Sequence, residues 1–396
     1  MKLPRISEVG VNGKKVLVRA PFDVPLVGVK ITDDSRIKSA LPTIKYLLDN
    51  DAAIVLISKL GRPEGQRVKG LSLAPVAKHL SKLLGKKVIF CNEAIGPKAE
   101  KAKKSLKKGE VLLLENLRFY KGEEENDANF AKNLAAYCAL FVFEDFPNAK
   151  NNHAGITGLS KLLPTYAGLN FADEVEHLTN FFEKPAKPLV AIVGGAKIST
   201  KIDVLKGLIN KVDVLILGGG MANTALAAEG YDIGKSLYEE NYLDVAEEIG
   251  RLCEDAGVEL LLPDDVMVAK RVRARTRAVQ KAVDEVNKNE IIVDIGPRSV
   301  AKFSEPLKFA GTIFWNGPVG IAEYKNFSLG TKAIAKIISG AKSKSIIGGG
   351  DTVAALSDGD YHFDFVSTGG GATLELVAGE KLPAVEMFRD QPLTNN

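Results

Sequence analysis

The sequence has few cysteines, no long apolar run and little excess of charge, and each shortage excludes a class of protein. Its three cysteines, Cys91, Cys138 and Cys253, are odd in number and far apart, which predicts neither a disulfide framework nor a zinc site. No apolar stretch approaches ~18 residues, and the N-terminus lacks the apolar segment of a secretion signal. We therefore expect no membrane partner, no export and a reducing, cytoplasmic location.

Charge is nearly balanced, with 53 basic and 49 acidic residues and a formal net charge of +4. This balance argues against a nucleic-acid partner and favours small anionic ligands. The chain has 396 residues, of which 45% are hydrophobic, so it is long and apolar enough to form two domains with their own cores.

Short apolar runs alternate with helical patterns along the whole chain, and most runs end in Gly, Pro or Asp. We predict strands in the first half at 15–19, 53–58, 87–90, 111–115 and 139–143, and in the second half at 188–193, 212–217, 259–262, 289–295, 312–315, 345–347 and 365–366. Strands that alternate with helices predict parallel sheets covered by helices. With a boundary near 163–168, the pattern predicts an α/β protein of two doubly wound, Rossmann-like parallel-sheet domains.

One stretch of the second half, 193–202, reads Val-Gly-Gly-Ala-Lys-Ile-Ser-Thr-Lys-Ile. A strand ends at the glycine pair, and apolar residues at helical spacing follow it. Glycine turns before helices bind anions through backbone N–H groups and the helix dipole. Lys197 and Lys201 are four residues apart, which predicts that both lie on one helix face beside the turn. The stretch alone is compatible with a polyphosphate site or with a solvated basic face.

Further glycine turns follow other strands at 218–220, 348–350 and 369–371, so many backbone N–H groups are available to phosphates. Asp351 stands among glycines at a helix start, where it suits a Mg²⁺-nucleotide because Mg²⁺ prefers one or two carboxylates with phosphate oxygens. An ordinary N-cap is the alternative. The stretch 230–236 is one residue short of a Walker A loop and follows a helix, so we predict a helix C-cap there.

Charged side chains follow the strands of the first half. Ligands of parallel sheets bind beyond the carboxyl ends of the strands. The side chains expected at this edge are Asp23, Arg36, Lys59, Arg62 and Arg118, with the loop 144–153. Isolated arginines in loops are usually solvated, but several cations at one edge imply an anionic substrate.

The order of these motifs and their residues resemble those of the phosphoglycerate kinase family from Lys15 to Met387. The resemblance is densest at Gly-Gly-Ala-Lys-Ile-Ser-Thr-Lys-Ile (194–202), Gly-Gly-Gly-Met-Ala (218–222), Trp-Asn-Gly-Pro (315–318), Gly-Gly-Gly-Asp-Thr (348–352) and Ser-Thr-Gly-Gly-Gly-Ala (367–372). It implies that family's fold, in which a hinge helix joins two domains. The expected domains are 1–168 with the C-terminal tail 376–396, and 169–375.

The resemblance also implies an activity and a set of site residues. The activity is reversible phosphoryl transfer between 1,3-bisphosphoglycerate and ADP, as in glycolysis, by a monomer that closes by hinge bending, with Mg²⁺ held at Asp351. The implied catalytic residues are Arg36, Lys197 and Lys201. The implied acceptor residues are Asp23, Arg36, Lys59, Arg62, Arg118, Lys150 and Asn151. The implied nucleotide residues are Gly195, Lys197, Lys201, Gly219, Gly220, Asn316, Glu323, Gly349, Gly350, Asp351, Thr352 and Gly370.

Departures from the family cluster in the acceptor site. The family's Asp-Phe-Asn-Val-Pro is Pro-Phe-Asp-Val-Pro at 21–25, its Ser-His-Leu-Gly-Arg-Pro has Lys59 for His, and Asn151 replaces a substrate-binding arginine. Lys59 or Lys150 could restore the charge, but not the bidentate geometry of Arg. Three interpretations stay open: a divergent phosphoglycerate kinase, a kinase for another carboxylic acid, or a weakened paralogue that mainly binds nucleotide.

Overall fold

Most of the predicted apolar runs form strands of two parallel sheets in a computed structural model that describes residues 2–389. The chain divides into two units. The first ends at His177 and takes up the chain again at Lys381, and the second is Leu178–Glu380. From the sequence we expected the boundaries at 168–169 and 375–376. None of the helices within 2–389 is both long and apolar enough to cross a membrane.

The first unit is built on a six-stranded parallel sheet in the order β5-β6-β4-β1-β7-β8. The unit's strands, including a small hairpin of β2 and β3, are β1 (Lys15–Arg19), β2 (Leu26–Val27), β3 (Lys30–Ile31), β4 (Ala53–Ile57), β5 (Val88–Cys91), β6 (Val111–Leu114), β7 (Leu140–Phe143) and β8 (Thr165–Ala167). Arg19 lies opposite Ile57 on one side and Phe143 on the other. This register brings the chain after β1, β4 and β7 to one edge of the sheet.

Helices cover this sheet, and their apolar faces pack on the strands in a core that includes Val18, Ile44 and Leu80. The α-helices are α1 (Ser35–Ser39), α2 (Leu41–Asp49), α3 (Ala74–Leu84), α4 (Pro97–Ser105), α5 (Lys121–Glu124), α6 (Ala128–Ala135), α7 (Leu169–Glu183) and, after the second unit, α15 (Pro383–Glu386). The segment expected to be a domain boundary contains β8, because Phe141–Phe143 pair with Thr165–Ala167.

Helix α7 starts on a buried carboxyl group. Glu144 accepts the backbone N–H of Asn170 at 3.1 Å and the Thr43 hydroxyl at 3.0 Å, while the Thr43 Oγ1 accepts the Leu169 N–H at 2.8 Å. These contacts satisfy N–H groups of the first turn, which have no partner within a helix. Burial raises the pKa of Glu144 well above its usual range although these hydrogen bonds favour the ionised form.

The second unit has its own six-stranded parallel sheet in the order β11-β10-β9-β15-β16-β17. Its strands are β9 (Leu189–Val193), β10 (Val214–Leu217), β11 (Glu259–Leu261), β15 (Thr312–Asn316), β16 (Lys344–Gly348) and β17 (Phe365–Ser367). Val193 lies opposite Leu217 and Asn316, and Asn316 lies opposite Gly348. The predicted glycine turns therefore follow neighbouring strands at one edge, because the carboxyl ends of parallel strands lie at the same edge of a sheet.

A second, antiparallel sheet corrects the prediction that all strands of this half belong to one doubly wound sheet. It comprises β12 (Asp265–Ala269), β13 (Val279–Ala282) and β14 (Ile291–Ile295), in the order β13-β12-β14. Only β14 was expected, and as a parallel strand. Periodicity did not reveal the other two strands, because β13 has few apolar side chains and β12 follows a Pro-Asp-Asp turn.

The α-helices of the second unit pack on both sheets. They are α8 (Ile202–Ile209), α9 (Gly219–Ala228), α10 (Leu243–Asp255), α11 (Pro297–Phe309), α12 (Leu329–Ser339), α13 (Gly350–Leu356) and α14 (Gly371–Ala378). Helix α9 ends before Gly230, whose φ of 90° suits a helix C-terminus, as predicted for the stretch that resembles a Walker A loop.

Candidate active site

At the strand ends of the first unit, Asp23 is surrounded by cations and a backbone donor. The Lys59 ammonium contacts Asp23 Oδ2 directly, and the Gly61 N–H donates to Oδ1 at 2.9 Å. Arg36 donates from Nη1 to the Asp23 carbonyl at 2.7 Å, and the same nitrogen lies 3.7 Å from Oδ2. The structure thus brings together three of the predicted acceptor residues: Asp23, Arg36 and Lys59.

Both members of the Asp23–Lys59 pair are largely buried, with 23% and 11% of their side chains exposed. Burial by itself would raise the pKa of Asp23, but the attraction of Lys59 and the Gly61 hydrogen bond outweigh it and lower that pKa. Burial also lowers the pKa of Lys59, against the attraction of Asp23. The carboxylate is therefore the stable form of Asp23, and its oxygens can only accept hydrogen bonds.

Arg118 and Arg62 lie on either side of the loop that carries Lys59. The Arg118 side chain is mostly buried, donates from Nη1 to the Gly61 carbonyl at 2.8 Å, and places Nε 3.2 Å from Glu124 Oε1. Arg62 is exposed, and within 2–389 its guanidinium forms no hydrogen bond or ion pair. Arg118 therefore contributes to the shape of this loop, whereas Arg62 is available to an anion.

Lys150 and Asn151 follow β7, on the loop after Asp145. Asn151 donates its amide to Asn148 Oδ1 at 3.2 Å, and Lys150 is exposed. In the part of the chain described, Asn151 forms no hydrogen bond to Asp23 or Lys59, so the structure does not join it to that cluster as it does Arg36. The Asn151 amide is already hydrogen-bonded within the loop, so it is a poor substitute for a substrate-binding arginine.

A buried ion cluster behind this site was not expected from the sequence. Arg19, at the end of β1, donates from Nη1 to Glu123 Oε1 at 2.7 Å and from Nε to Asp145 Oδ2 at 3.0 Å. Burial disfavours the Arg19 charge, but the two carboxylates outweigh burial and raise its pKa. Glu123 also accepts the Gly155 N–H at 2.8 Å. The cluster ties the loop after β7 to β1, and only the order of the strands brings these residues together.

The loop after β4 is held by the side-chain amide of Asn116, which no sequence motif had marked as a site residue. Asn116 accepts the Leu60 N–H at 3.0 Å and donates to the Leu60 carbonyl at 2.7 Å. This two-way bond fixes the backbone between Lys59 and Gly61. Asn116 directly follows an apolar strand at the predicted edge of the sheet, and that position was the available signal.

In the second unit, the first glycine turn has a different shape from the predicted strand, turn and helix. Helix α8 begins only at Ile202, so Lys197 lies in the loop and Lys201 precedes the helix. The prediction that both lysines share a helix face is wrong. The loop turns at Gly195, whose φ of 123° is unfavourable for other residues, and its carbonyl accepts the Met221 N–H at 3.2 Å.

Lys201 folds back over this turn, where Nζ donates to the Gly194 carbonyl at 2.5 Å. Burial lowers its pKa to about 8, against the attraction of Asp351. Lys197 is exposed. The turn thus presents one partly buried cation and one exposed cation at the sheet edge, beside the exposed carboxylate of Asp351.

Neighbouring turns approach each other closely. A Cβ at Gly220 would lie 2.3 Å from the Ala196 carbonyl oxygen, so only glycine fits there. Thr352 accepts the Gly317 N–H at 2.8 Å, and Asn316 Nδ2 lies 3.4 Å from the Gly370 carbonyl oxygen. Asn316 and Thr352 are both buried and hold adjacent turns together.

A cavity of about 610 Å³ opens beside these turns. The predicted nucleotide residues that line it are Gly195, Gly219, Gly220, Glu323 and Asp351. Those outside its lining are Lys197, Lys201, Asn316, Gly349, Gly350, Thr352 and Gly370. Its apolar wall includes Leu237, Val272, Ile291, Val293 and Ile321, which no motif marked because the missed antiparallel sheet supplies several of them.

Asp351 is the one predicted metal ligand. No group of three or more His, Cys, Asp or Glu side chains within 2–389 could hold a metal ion alone. Mg²⁺ needs only one or two carboxylates when phosphate oxygens and water complete its shell. Asp351 is exposed, lines the cavity and lies on the first turn of α13. These residues fit a Mg²⁺ ion that is bound together with a nucleotide.

Comparisons with known proteins agree with this geometry. The sequence profile of the family described as phosphoglycerate kinase matches residues 6–380. A phosphoglycerate kinase of Dictyoglomus turgidum is 46% identical over 383 residues, covering 96% of each chain. One of Moorella thermoacetica is 44% identical over 382 residues, covering 96% of this chain and 97% of the relative.

Two solved structures are also similar. The phosphoglycerate kinase of Coxiella burnetii has 42% identity and a TM-score of 0.83, covering 98% of this chain and 99% of the other. That of Pyrococcus horikoshii has 29% identity and a TM-score of 0.88, covering 98% of each chain. The matches run through both units, including the altered strand ends of the first.

Proposed function

The chain belongs to the phosphoglycerate kinase family, and we therefore propose that its second unit binds Mg-ATP or Mg-ADP and its first unit binds the phosphoglycerate. The enzyme is a phosphotransferase with a carboxyl group as acceptor, and its reaction is the reversible transfer of a phosphoryl group between 1,3-bisphosphoglycerate and ADP. A kinase for another carboxylic acid is not favoured, because the relatives at 42–46% identity are all phosphoglycerate kinases.

The observation that carries the site assignment is the glycine-lined cavity beside Lys201 and Asp351. Backbone N–H groups and a buried cation suit the phosphates of a nucleotide, and an apolar wall suits its base. The assignment includes Lys197 as an exposed cation for the transferred phosphoryl group. Bound Mg²⁺ would neutralise phosphate charge, with Asp351 as its protein ligand.

The cations of the first unit support the acceptor assignment. We assign Arg36 and Lys59 to the acceptor's negative charges, with Arg62 as a free cation at the edge. Arg118 would act mainly by shaping the loop after β4. Lys150 and Asn151 stay predicted acceptor residues on the loop after β7.

No general base is needed in this reaction. A carboxylate nucleophile is already ionised at neutral pH, so the enzyme has to position the two substrates and neutralise charge. Arg36, Lys197 and Lys201 are the cations we assign to the phosphoryl group in transit. With donor and acceptor assigned to different units, transfer requires the units to close on each other, as in hinge bending. We further propose a monomeric, cytoplasmic enzyme, as the family resemblance implies.

A coupled assay of ATP consumption with 3-phosphoglycerate tests the proposal. We expect turnover that depends on 3-phosphoglycerate and Mg²⁺, and none with acetate, which lacks the phosphate. Normal Mg-ATP binding without turnover of 3-phosphoglycerate would contradict the acceptor assignment and favour a weakened paralogue.

Arg36→Ala tests the assignment of the acceptor to the first unit and the nucleotide to the second. We expect kcat to fall by about 100-fold or more, because a transition-state cation is lost, while ATP affinity stays nearly unchanged. Lys38→Ala is the matched control, since Lys38 lies on the same helix, is exposed and pairs with Asp34 at 2.9 Å. A large loss of ATP affinity in Arg36→Ala would overturn the assignment of this unit to the acceptor.

A further inference from the structure

The loop between β12 and β13, residues 270–278, carries an unusual concentration of positive charge. We call it the arginine loop. Its cations are Lys270, Arg271, Arg273, Arg275 and Arg277. The loop holds four of the chain's 13 arginines, and no acidic residue occurs from 266 to 283. Val272 of this loop lines the nucleotide cavity, but none of the five cations does.

The backbone of the arginine loop is held in place, so its cations have a defined direction. Val272 and Ala278 pack against the small apolar cluster formed by Ala269, Val293 and Phe327. Asn326 donates to the Thr276 carbonyl at 2.7 Å, and the Thr276 N–H donates to the Arg273 carbonyl at 3.0 Å. The apolar side chains therefore point inward, and the cationic side chains are exposed.

The cations of the loop have no acidic partner among residues 2–389, where their side chains form no hydrogen bond and no ion pair. Cations nearby are paired: Lys281 lies 2.9 Å from Glu290, and Lys325 lies 3.4 Å from Asp358. Like charges this close in sequence repel one another in the free protein. A bound polyanion would relieve that repulsion.

We propose that the arginine loop binds the phosphate backbone of a nucleic acid without reading its sequence. Arginine presents a planar fork of donors that matches phosphate, and clustered Lys and Arg side chains are the electrostatic signature of such contacts. No aromatic residue occurs between 264 and 282, so the segment offers no platform for stacking bases. The expected contacts are therefore with phosphates alone.

Two other partners fit less well. Stable protein interfaces have cores depleted of charge, whereas this surface consists of charged side chains around one inward-facing valine. Adsorption to a lipid surface is strengthened by exposed apolar anchors, and Val272, the one large apolar side chain of the loop, packs inward.

This proposal revises the expectation of no nucleic-acid partner, which rested on an averaged charge. Residues 266–283 carry six cations and no acid, while the whole chain has a formal net charge of +4, so the remainder of the chain is at −2. A polyanion would be attracted to the arginine loop and, on balance, repelled by the rest. The proposal does not depend on the kinase activity.

Salt-dependent binding tests it. We would titrate the full chain into fluorescein-labelled single-stranded oligo(U) and into duplex DNA, each of about 20 nucleotides per strand, and follow anisotropy. If the five cations engage five phosphates, log K falls with log salt with a slope of about −3.5 for the single strand and about −4.5 for the duplex. Between about 50 and 200 mM KCl, affinity should then fall by roughly 100- to 500-fold.

A charge-matched pair of variants locates the binding surface. The change of Arg271, Arg273, Arg275 and Arg277 to Gln should weaken binding at about 50 mM KCl by tenfold or more. It should also reduce the slope to about −0.7 for the single strand and about −0.9 for the duplex, because only Lys270 remains. The control changes Lys78, Lys82, Lys86 and Lys87 to Gln, which removes the same charge from exposed positions of the first unit. The control should bind like the wild type, and both variants should unfold in denaturant at the wild-type midpoint, which shows that they are folded.

Several results would overturn the proposal. They are the absence of saturable binding by the wild type, an equal loss in both variants, and full binding by the arginine variant. Vesicles with a quarter anionic lipid and poly-glutamate serve as competitors. If either displaces the oligonucleotide more effectively per charge than unlabelled oligo(U) does, the partner is a membrane or an acidic protein and the nucleic-acid assignment is wrong.

Discussion

The Asp23–Lys59 pair allows a quantitative test of how this chain replaced the family's acceptor residues. Lys59 places its ammonium against Asp23 Oδ2 in a largely buried position. If that ammonium also binds an anionic group of the acceptor, Lys59→Met removes a charge-assisted contact worth about 1.5–3 kcal/mol. The KM for 3-phosphoglycerate should then rise roughly 10- to 100-fold, because about 1.4 kcal/mol corresponds to a factor of ten.

The same change also affects folding. Asp23 loses its nearest cation but keeps the Gly61 N–H at 2.9 Å and Arg36 at 3.7 Å. Breaking a fully buried pair costs about 3–5 kcal/mol, and with a fifth of Asp23 exposed and two partners left we expect about 1–3 kcal/mol. Asp23→Asn removes the charge that Lys59 balances. The double variant should be more stable than the sum of the two single changes by about 1–2 kcal/mol.

Steady-state kinetics and denaturant unfolding of the four proteins in this cycle provide the measurements. Lys87→Met, at an exposed position of the same unit, is the control and should change neither KM nor stability. The KM for Mg-ATP should stay constant throughout, since no nucleotide residue is touched. If Lys59→Met leaves the KM for 3-phosphoglycerate unchanged, Lys59 serves only to balance Asp23, and its assignment to the acceptor is refuted.

Three further predictions concern buried lysines and the metal ligand. Burial lowers the pKa of Lys201 to about 8, and phosphates favour its charged form. In calorimetric titrations, Mg-ADP affinity should therefore be highest below about pH 7 and fall above pH 8, up to about tenfold by pH 9. Lys201→Arg should abolish this fall. Asp351→Asn should weaken Mg-ADP binding while leaving Mg²⁺-free ADP nearly unaffected, and equal losses would contradict its role as a metal ligand. Lys103 donates to the Asn133 and Leu134 carbonyls at 2.6 and 3.2 Å. Lys103→Met should therefore lower the free energy of unfolding by about 2 kcal/mol and leave both KM values unchanged.

The parallel-sheet architecture could be predicted because its signals are local. The runs at 15–19 and 111–115 are apolar on both faces, as strands covered by helices on both sides must be. Each is followed by residues that end a strand. The β12–β13 pair could not be predicted in this way, because Val279–Ala282 is exposed and contains Gln280 and Lys281. The side chains of this segment therefore show no apolar alternation, and only the pairing with β12 defines it as a strand.

The candidate site divides along the same line. The glycine turns and Asp351 were predictable, since glycine is required where backbone segments such as Gly220 and Ala196 meet. The position of Lys201 could not be predicted. Ile198 and Ile202 are at helical spacing, but Ile198 lies in the loop that turns at Gly195. The buried partners of Arg19, Glu123 and Asp145, were also unpredictable, since they lie more than a hundred residues away along the chain.

By itself, the sequence determined the class of fold, the edge of each sheet where ligands would bind, and the family. These follow from periodicity, from strand-terminating residues and from motifs that are contiguous in the chain. Only the tertiary structure decided which polar groups meet: that Asp23 contacts Lys59, that Asn151 donates to Asn148, and that the arginine loop has no acidic partner among residues 2–389. Electrostatic energies depend on distance and burial in space, and neither can be obtained from the order of residues.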